Sequence, residues 1–131
     1  MKYTIDELYE MLVWGSGREE KGIAQAQKMK NLYPFIQPLI LPPERSKAVW
    51  ENCAKVIISK RDEELKPYLP LLFEWLKDLN WPGAMLIFDR LAQIPFANIK
   101  TEYEIKKLQA QKADDAGWIW SLAMLYKAYN E

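Results

Sequence analysis

Few residues in this chain could carry out chemistry, and their types limit the reactions that it could support. The 131-residue sequence contains no histidine, the commonest general base and the commonest metal ligand in proteins. No Ser–His or Cys–His nucleophile pair can therefore form. The single cysteine, Cys53, excludes an internal disulfide and a multi-cysteine metal site. We predict a protein that is not an enzyme and that binds no metal or cofactor.

Cys53 is itself predicted to lie in the core. It sits between Val49 and Val56 in an apolar stripe with helical spacing. A free cysteine in such a stripe usually packs as a small hydrophobe, whereas a reactive thiol needs an electropositive, accessible site.

Three pairs of adjacent carboxylates and one glycine-rich stretch are the remaining candidates for chemistry. The pairs at residues 19–20, 63–64 and 114–115 could supply a general acid and a general base. Each pair lies in or beside a predicted first helical turn, where negative charge complements the helix dipole. Gly-Ser-Gly at residues 15–17 lacks the preceding strand and the following Lys-Ser/Thr of a phosphate-binding loop. We interpret the pairs as helix-start charges and the glycines as a turn between helices.

The composition indicates one folded domain made of helices. Half of the residues are hydrophobic and 13% are aromatic, which is enough apolar surface for a core in a chain of this length. No sustained strand alternation and no hairpin dipeptide is present. We predict an all-α fold of about seven helices in antiparallel pairs, a HEAT-like α-solenoid within a single domain. Residues 1–45 would hold N-terminal helices and a proline-rich connector, and residues 46–131 the HEAT-like pairs.

Local signals predict where the helices begin. Three Ser/Thr-x-x-Glu capping boxes mark starts, the third of them with Ile105 and Leu108 inside a sixth helix. Pro43 suits the first turn of a third helix. Residues 33–44, with four of the eight prolines, are expected to form a connector with one helical turn, and residues 59–66 a polar turn. The three boxes are Thr4 with Glu7, Ser16 with Glu19, and Thr101 with Glu104.

Residues 74–84 (EWLKDLNWPGA) form a corner between two predicted helices. Asn80 is a good N-cap, so Pro82 would fall in the first turn of a fifth helix. The resulting link of only two or three residues predicts an antiparallel helix pair. Trp75 and Trp81 lie near the closed end of this pair, and we expect them to wedge it together.

The stretch around this corner also carries a family resemblance. Residues 65–84 (LKPYLPLLFEWLKDLNWPGA) resemble the signature of a small bacterial family of uncharacterised HEAT-like domains, Trp-Leu-x-Asp-Leu-Asn-Trp-Pro-x-Ala. Residues 114–126 (DDAGWIWSLAMLY) are similar to that family's last element, and the resemblance covers roughly residues 62–129. It implies a small soluble domain that binds and blocks one cognate toxin, because the family resembles immunity proteins of bacterial toxin systems. The signature residues are Trp75, Asp78, Asn80, Trp81 and Pro82.

The last predicted helix is rich in aromatic residues. Trp118 and Trp120 are separated by about 200° around a helix axis, so they cannot share a face. Either the helix is buried nearly all round, or one aromatic set is left at the surface. A terminal solenoid helix normally has a polar outer face, so an exposed patch of Trp120, Met124 and Tyr126 would be a candidate interface.

Charge is unevenly distributed along a chain whose net charge is zero. Acidic residues are frequent near the N-terminus, and the sixth helix is basic at Lys106, Lys107 and Lys112. Such asymmetry can steer a charged partner, for example a nuclease toxin that is basic where it holds phosphate. The alternative is a set of solvated helix faces.

Our first hypothesis is a non-enzymatic binding module, an immunity protein that occludes the active surface of its toxin. The alternative is a scaffold or adaptor domain that self-associates through the aromatic C-terminal helix, so the chain would be a monomer or a weak homodimer. A small enzyme or nucleic-acid module is disfavoured, because phosphate binding needs a basic surface. The candidate partner-binding residues are Asp6, Glu7, Glu10, Glu19, Glu20, Asp114, Asp115, Trp118 and Trp120.

The location of the protein follows from two missing signals. The N-terminal residues are amphipathic and carry early acids, unlike a secretory signal, and no stretch approaches the ~20 apolar residues that span a bilayer. We predict a cytoplasmic protein with no membrane or nucleic-acid partner.

Overall fold

Every regular element in the part of the chain that the structure describes is a helix, which confirms the all-α prediction. The computed structural model describes residues 3–37 and 43–129, with the backbone alone at residues 43–46. Single 3-10 turns cover Tyr33–Phe35, Lys66–Tyr68 and Trp75–Lys77. The α-helices are α1 (Ile5–Leu12), α2 (Glu19–Ala26), α3 (Pro43–Ile58), α4 (Asp62–Leu65), α5 (Leu69–Glu74), α6 (Ala84–Ala92), α7 (Phe96–Lys112) and α8 (Ala116–Tyr129).

The first capping box is confirmed and the second is wrong. The Thr4 side chain accepts from the backbone N–H of Glu7, while the Glu7 carboxylate accepts from that of Thr4. Helix α2 instead begins after Arg18, without a side-chain cap. The Ser16 hydroxyl donates to the carbonyl of Met11 at 2.7 Å, so it satisfies the end of α1 rather than the start of α2.

The third capping box is also wrong, because α7 begins five residues before it. Its N-cap is Pro95, and Thr101 lies inside the helix. The earlier start turns Ile99 and Tyr103 towards the core and leaves Ile105 and Leu108 exposed. The Thr-x-x-Glu pattern at Thr101 therefore lies inside α7 and does not mark its first residue.

The connector contains the expected helical turn, whereas the polar turn is more structured than its composition suggested. A 3-10 turn covers Tyr33–Phe35, as expected, and α3 begins at Pro43; residues 38–42 of the connector lie outside the described residues. Residues 59–66 are not simply a polar turn, since α4 lies within them. Lys60 is buried there, and its ammonium donates to the carbonyls of Gln27 at 2.6 Å and Met29 at 2.9 Å.

The corner at residues 74–84 is built differently from the prediction. Helix α5 continues as a 3-10 turn to Lys77, and α6 begins only at Ala84, so the link is longer than two or three residues. Its N-cap is Gly83, at a φ of 83°, which is a conformation that glycine adopts without a steric penalty. Asn80 does not cap the helix: its own N–H donates to the carboxylate of Asp78 at 2.8 Å. Pro82 accordingly precedes the first turn of α6.

A cluster of three tryptophans fills the inside of this corner. The Trp50 ring of α3 lies edge-on to Trp75 and Trp81, with centroids 6.1 Å and 5.4 Å away. The Trp75 indole also donates to the carbonyl of Pro82 at 3.2 Å. The two corner tryptophans therefore pack against α3, which joins the corner to the rest of the core.

Gly83 sets how closely the corner can approach α3. A Cβ atom at this position would lie 2.7 Å from the Cβ of Ala54 and 3.0 Å from the carbonyl oxygen of Trp50. Gly17 has the same kind of backbone, with a φ of 80°, but a Cβ atom there would have no neighbour within 4 Å.

We expect Gly83→Ala to destabilise the protein by about 1–3 kcal/mol more than Gly17→Ala. Both substitutions strain a left-handed residue by a similar amount, but only the first forces α3 and the corner apart. Urea unfolding followed by circular dichroism measures the difference. Equal losses at the two positions would contradict close packing at the corner.

Candidate functional site

A groove of about 630 Å³ opens at the surface beside the corner. It lies between the corner residues, the start of α6 and the start of α8, and we call it the α8 groove. The side chains of Trp120 and Met85 are 58% and 47% exposed, so two large apolar groups meet solvent in this one groove. The groove is lined by Lys77, Asp78, Leu79, Asn80, Met85, Gly117, Trp120 and Ser121.

Local features at the start of α8 position this helix beside the corner. The Asp115 carboxylate accepts from the backbone N–H of Trp118 at 3.1 Å, so this acid caps the helix. A Cβ atom at Gly117 would lie 3.3 Å from the carbonyl oxygen of Lys77, so glycine lets α8 approach the corner. Asp114 is exposed and has a positive φ of 51° in the turn before the helix.

The two tryptophans of α8 have opposite environments, as their spacing required. Trp118 is 3% exposed, and its indole donates to the carbonyl of Phe73 at 3.0 Å. The ammonium of Lys77 lies 4.7 Å from the centre of its ring. Trp118 is therefore a core residue that positions α8, and Trp120 is the one of the two that presents its ring to solvent.

Lys77, which lines the groove, belongs to a charged network with Glu74 and Lys106. Glu74 accepts from the ammonium groups of Lys77 and Lys106, each at 2.9 Å. Burial raises the pKa of Glu74, but the hydrogen bonds from the two lysines outweigh it and hold the pKa below its usual value. Lys106, predicted as part of a basic surface, is buried here instead. The polar groups left to line the groove are those of Asp78 and Asn80.

Of the three residues predicted to form an exposed patch, only Trp120 lines the α8 groove. Met124 is partly buried. Tyr126 is exposed on a different side of α8, where its ring packs 5.6 Å from Phe96 and 5.8 Å from Tyr103. The apolar residue that lines the groove together with Trp120 is Met85 of α6. No sequence pattern had indicated Met85.

The predicted acidic contacts at residues 6–20 lie on another part of the molecule, whereas Asp114 and Asp115 directly precede α8. Asp6, Glu7, Glu10 and Glu20 are exposed on α1 and α2, which pack against each other and against α3. Glu19 is partly buried, and one of its oxygens lies 3.4 Å from the side-chain nitrogen of Asn52. Helix α8 packs instead against α6, α7 and the Trp75–Lys77 turn. The acids of residues 6–20 and the α8 groove are therefore built on different elements.

Sequence reasoning also missed Trp14, the most exposed large apolar residue that the structure describes. It lies outside every helical stripe, between the end of α1 and Gly15. An aromatic residue beside a turn glycine was the one signal that could have indicated it.

The one thiol of the described residues is shielded from solvent. Cys53 is buried, and burial raises the pKa of its thiol far above the usual range, although the Gln37 amide donates to it at 3.4 Å. Within residues 3–37 and 43–129, no group of carboxylates and cysteine has the arrangement of a metal site. Over the same residues, no helix is long and apolar enough to cross a membrane.

Comparison with known proteins places the chain in a family but assigns it no activity. Residues 46–130 match a family described as a domain of unknown function, DUF5071. Because the match covers more than half of the sequence, the chain belongs to this family. It includes the corner and the whole described length of α8, and it leaves α1 and α2 outside. No curated protein and no solved structure matches the chain.

We expect Cys53 to resist alkylation while the protein is folded. Iodoacetamide at pH 8 should label the native protein at least ~100-fold more slowly than the chain in guanidinium chloride, because a thiolate is the reacting species and the buried thiol stays protonated. Cys53→Ser gives the unlabelled baseline. Comparable rates in the two states would show an accessible thiol and would reopen the question of nucleophilic chemistry.

Proposed function

We propose that this protein is a non-enzymatic binding module, an immunity protein that binds and neutralises a cognate bacterial toxin. The observation that carries the proposal is the α8 groove, where Trp120 and Met85 stay exposed beside the polar groups of Asp78 and Asn80. An apolar floor with a polar rim is the usual anatomy of a protein-binding surface.

Energetics support an interface at Trp120. Covering an indole removes a large apolar area from water, and tryptophan is among the residues that most often dominate binding energy. The helix that carries it is fixed by the buried Trp118 and by the Asp115 cap, so binding need not order the backbone first.

Blockade would be steric. A groove with a fixed backbone can cover the working surface of a toxin without taking part in its reaction, and the absence of histidine and the buried Cys53 agree with that role. We propose a HEAT-like arrangement of helix pairs behind it, supported by the packing of α1 on α2 and of α7 on α8. The exposed acids of α1 would act at a distance, by steering a basic partner.

We expect Trp120→Ser to weaken binding of the toxin by at least about tenfold, which is the loss typical of an interface hot spot. The tagged full-length protein would be used to capture its partner from its native cells at high salt. The captured protein would then be produced, shown to arrest growth alone, and titrated with both forms of the binding module.

The matched control is Leu108→Ser, because Leu108 is also 58% exposed but lies on α7, away from the groove. Both variants should keep the wild-type melting temperature, since each replaces a surface residue. Equal affinities of Trp120→Ser and the wild type would exclude the groove as the contact, and a partner with no effect on growth would exclude immunity.

Self-association is a second candidate for the same surface. The ammonium of Lys77 is already paired with Glu74, so Asp78 is the one unpaired charge among the described groove residues, and little charge would oppose a second copy there. Exposed apolar surface of this kind is also typical of homodimer contacts.

If this candidate is correct, the protein should form a dimer at high concentration that Trp120→Ser abolishes and Leu108→Ser retains. Sedimentation velocity over a hundredfold range of concentration measures this directly. A monodisperse wild-type monomer over the whole range would rule out the scaffold alternative.

A further inference from the structure

The side chain of Trp14 projects into solvent from the loop between α1 and α2. It is 74% exposed, more than that of any other large apolar residue described. The loop is separate from the α8 groove. An indole left in water gives up the burial energy that it would gain in the core.

The backbone of this loop is held in one shape. The N–H of Ser16 donates to the carbonyl of Val13 at 3.0 Å, which closes a four-residue turn with Trp14 second in it. Gly15 is third and has a φ of 85°, the positive value that a type II turn requires at this position. The Trp14 N–H donates to the carbonyl of Ala48 at 2.8 Å, which fastens the turn to α3.

Two side chains, those of Asn52 and Ser16, make three further hydrogen bonds that secure both sides of the turn. The buried Asn52 side chain of α3 donates to the carbonyl of Leu12 at 2.9 Å. The Ser16 hydroxyl donates to Met11 and accepts from the N–H of Arg18 at 3.1 Å. The indole is therefore exposed on a fixed backbone, so a partner would not have to order the loop.

Acidic residues outnumber basic ones around this turn. Residues 3–21 contain five carboxylates and two basic side chains, Arg18 and Lys21, and exposed Lys47 precedes Ala48 of α3, although the whole chain is neutral. Asp6, Glu7 and Glu10 are exposed on α1, an eight-residue helix about 12 Å long that ends two residues before Trp14. None of these three carboxylates forms an ion pair with a described residue.

This charge decides which kind of occupant fits. A two-fold contact with a second copy would oppose the same acids to one another. Nucleic-acid phosphates and anionic membrane surfaces would also be repelled. A basic protein surface is attracted, and an arginine on it can stack over the exposed indole ring.

We propose that Trp14 and the acids of α1 form a docking site for a basic protein segment, with the indole as its anchor. The site is distinct from the α8 groove and stands whether or not that groove binds a toxin. Arginine or lysine of the partner pairs with Asp6 and Glu10, and the ring of Trp14 is covered by the guanidinium or the aliphatic stem of one of them.

A library of random twelve-residue peptides displayed on phage provides a probe that assumes no particular partner. It would be panned against the full-length protein, and recovered peptides measured by fluorescence polarisation. We expect peptides enriched in arginine and lysine relative to the input library. Their affinity should fall at least about tenfold on Trp14→Ser and on the double change Asp6→Lys with Glu10→Lys, and should fall as salt is raised.

Trp120→Ser is the matched control, because it makes the same change at the other exposed tryptophan and should leave peptide affinity unchanged. Since Trp14 and Trp120 are exposed, their serine variants should unfold at the wild-type temperature. The double lysine variant should unfold at a slightly lower temperature, because Asp6 lies in the first turn of α1, where negative charge complements the helix dipole. A wild-type protein that captures no toxin but binds the peptides through Trp14 would contradict the proposed function alone. Toxin binding that depends on Trp120, without any peptide binding that depends on Trp14, would contradict the docking site alone.

A second pair of variants tests whether the fixed turn matters. A Cβ atom at Gly15 would have no neighbour within 4 Å, so a substitution there acts through its backbone alone. Gly15→Asn tolerates the positive φ and should keep peptide affinity, whereas Gly15→Val does not and should lower it although Trp14 is still present.

Several outcomes would overturn the site. One is that the recovered peptides bind Trp14→Ser as tightly as they bind the wild type, and another is that they are not enriched in arginine and lysine. A third is that selection on the wild type recovers no more peptides than selection on Trp14→Ser. Each of these three results contradicts the proposal. Dimerisation that depends on Trp14 in sedimentation would assign the surface to a second copy, and binding to vesicles of anionic lipid would assign it to a membrane.

Discussion

The close contact between α3 and the corner at residues 74–84 is the constraint on which the rest of the structure depends. Trp50 projects from α3 between the rings of Trp75 and Trp81, and Gly83 allows the backbones to meet behind them. Helix α3 also packs against α1 and α2, so its contact with the corner connects the N-terminal helices to the C-terminal ones. Edge-to-face aromatic packing is directional, and it therefore fixes orientation as well as burying area.

Most of the charged groups inside the fold have hydrogen-bond partners that the packing of the helices brings close to them. Lys60 donates to two carbonyls after the end of α2, and Lys106 donates to Glu74. A buried ammonium without such partners would cost several kcal/mol. The lysines thus stabilise particular helix arrangements, and they are not available as a basic surface.

Two of the aromatic residues that remain exposed at the surface are tryptophans, Trp14 and Trp120. Trp120 is exposed because Trp118 takes the core-facing position of α8, and Trp14 because its backbone is fastened outward to α3. The first lies in a groove with little free charge, and the second beside a cluster of acids. Their different surroundings suit partners of different chemistry.

The sequence by itself determined the helical class, the start of α1, the burial of Cys53 and the opposite faces of Trp118 and Trp120. These follow from interactions within one or two turns of the chain, so spacing and residue type are sufficient. It did not determine the starts of α2, α6 and α7, where the same local signals at Ser16, Asn80 and Thr101 are used differently or not at all. In the folded chain Ser16 donates to the end of α1, α7 has already begun at Phe96, and the close approach at Gly83 outweighs a capping preference of about 1 kcal/mol at Asn80, so only the tertiary structure decided those starts. For the same reason, it was tertiary packing that brought Met85 beside Trp120 and fastened Trp14 to Ala48.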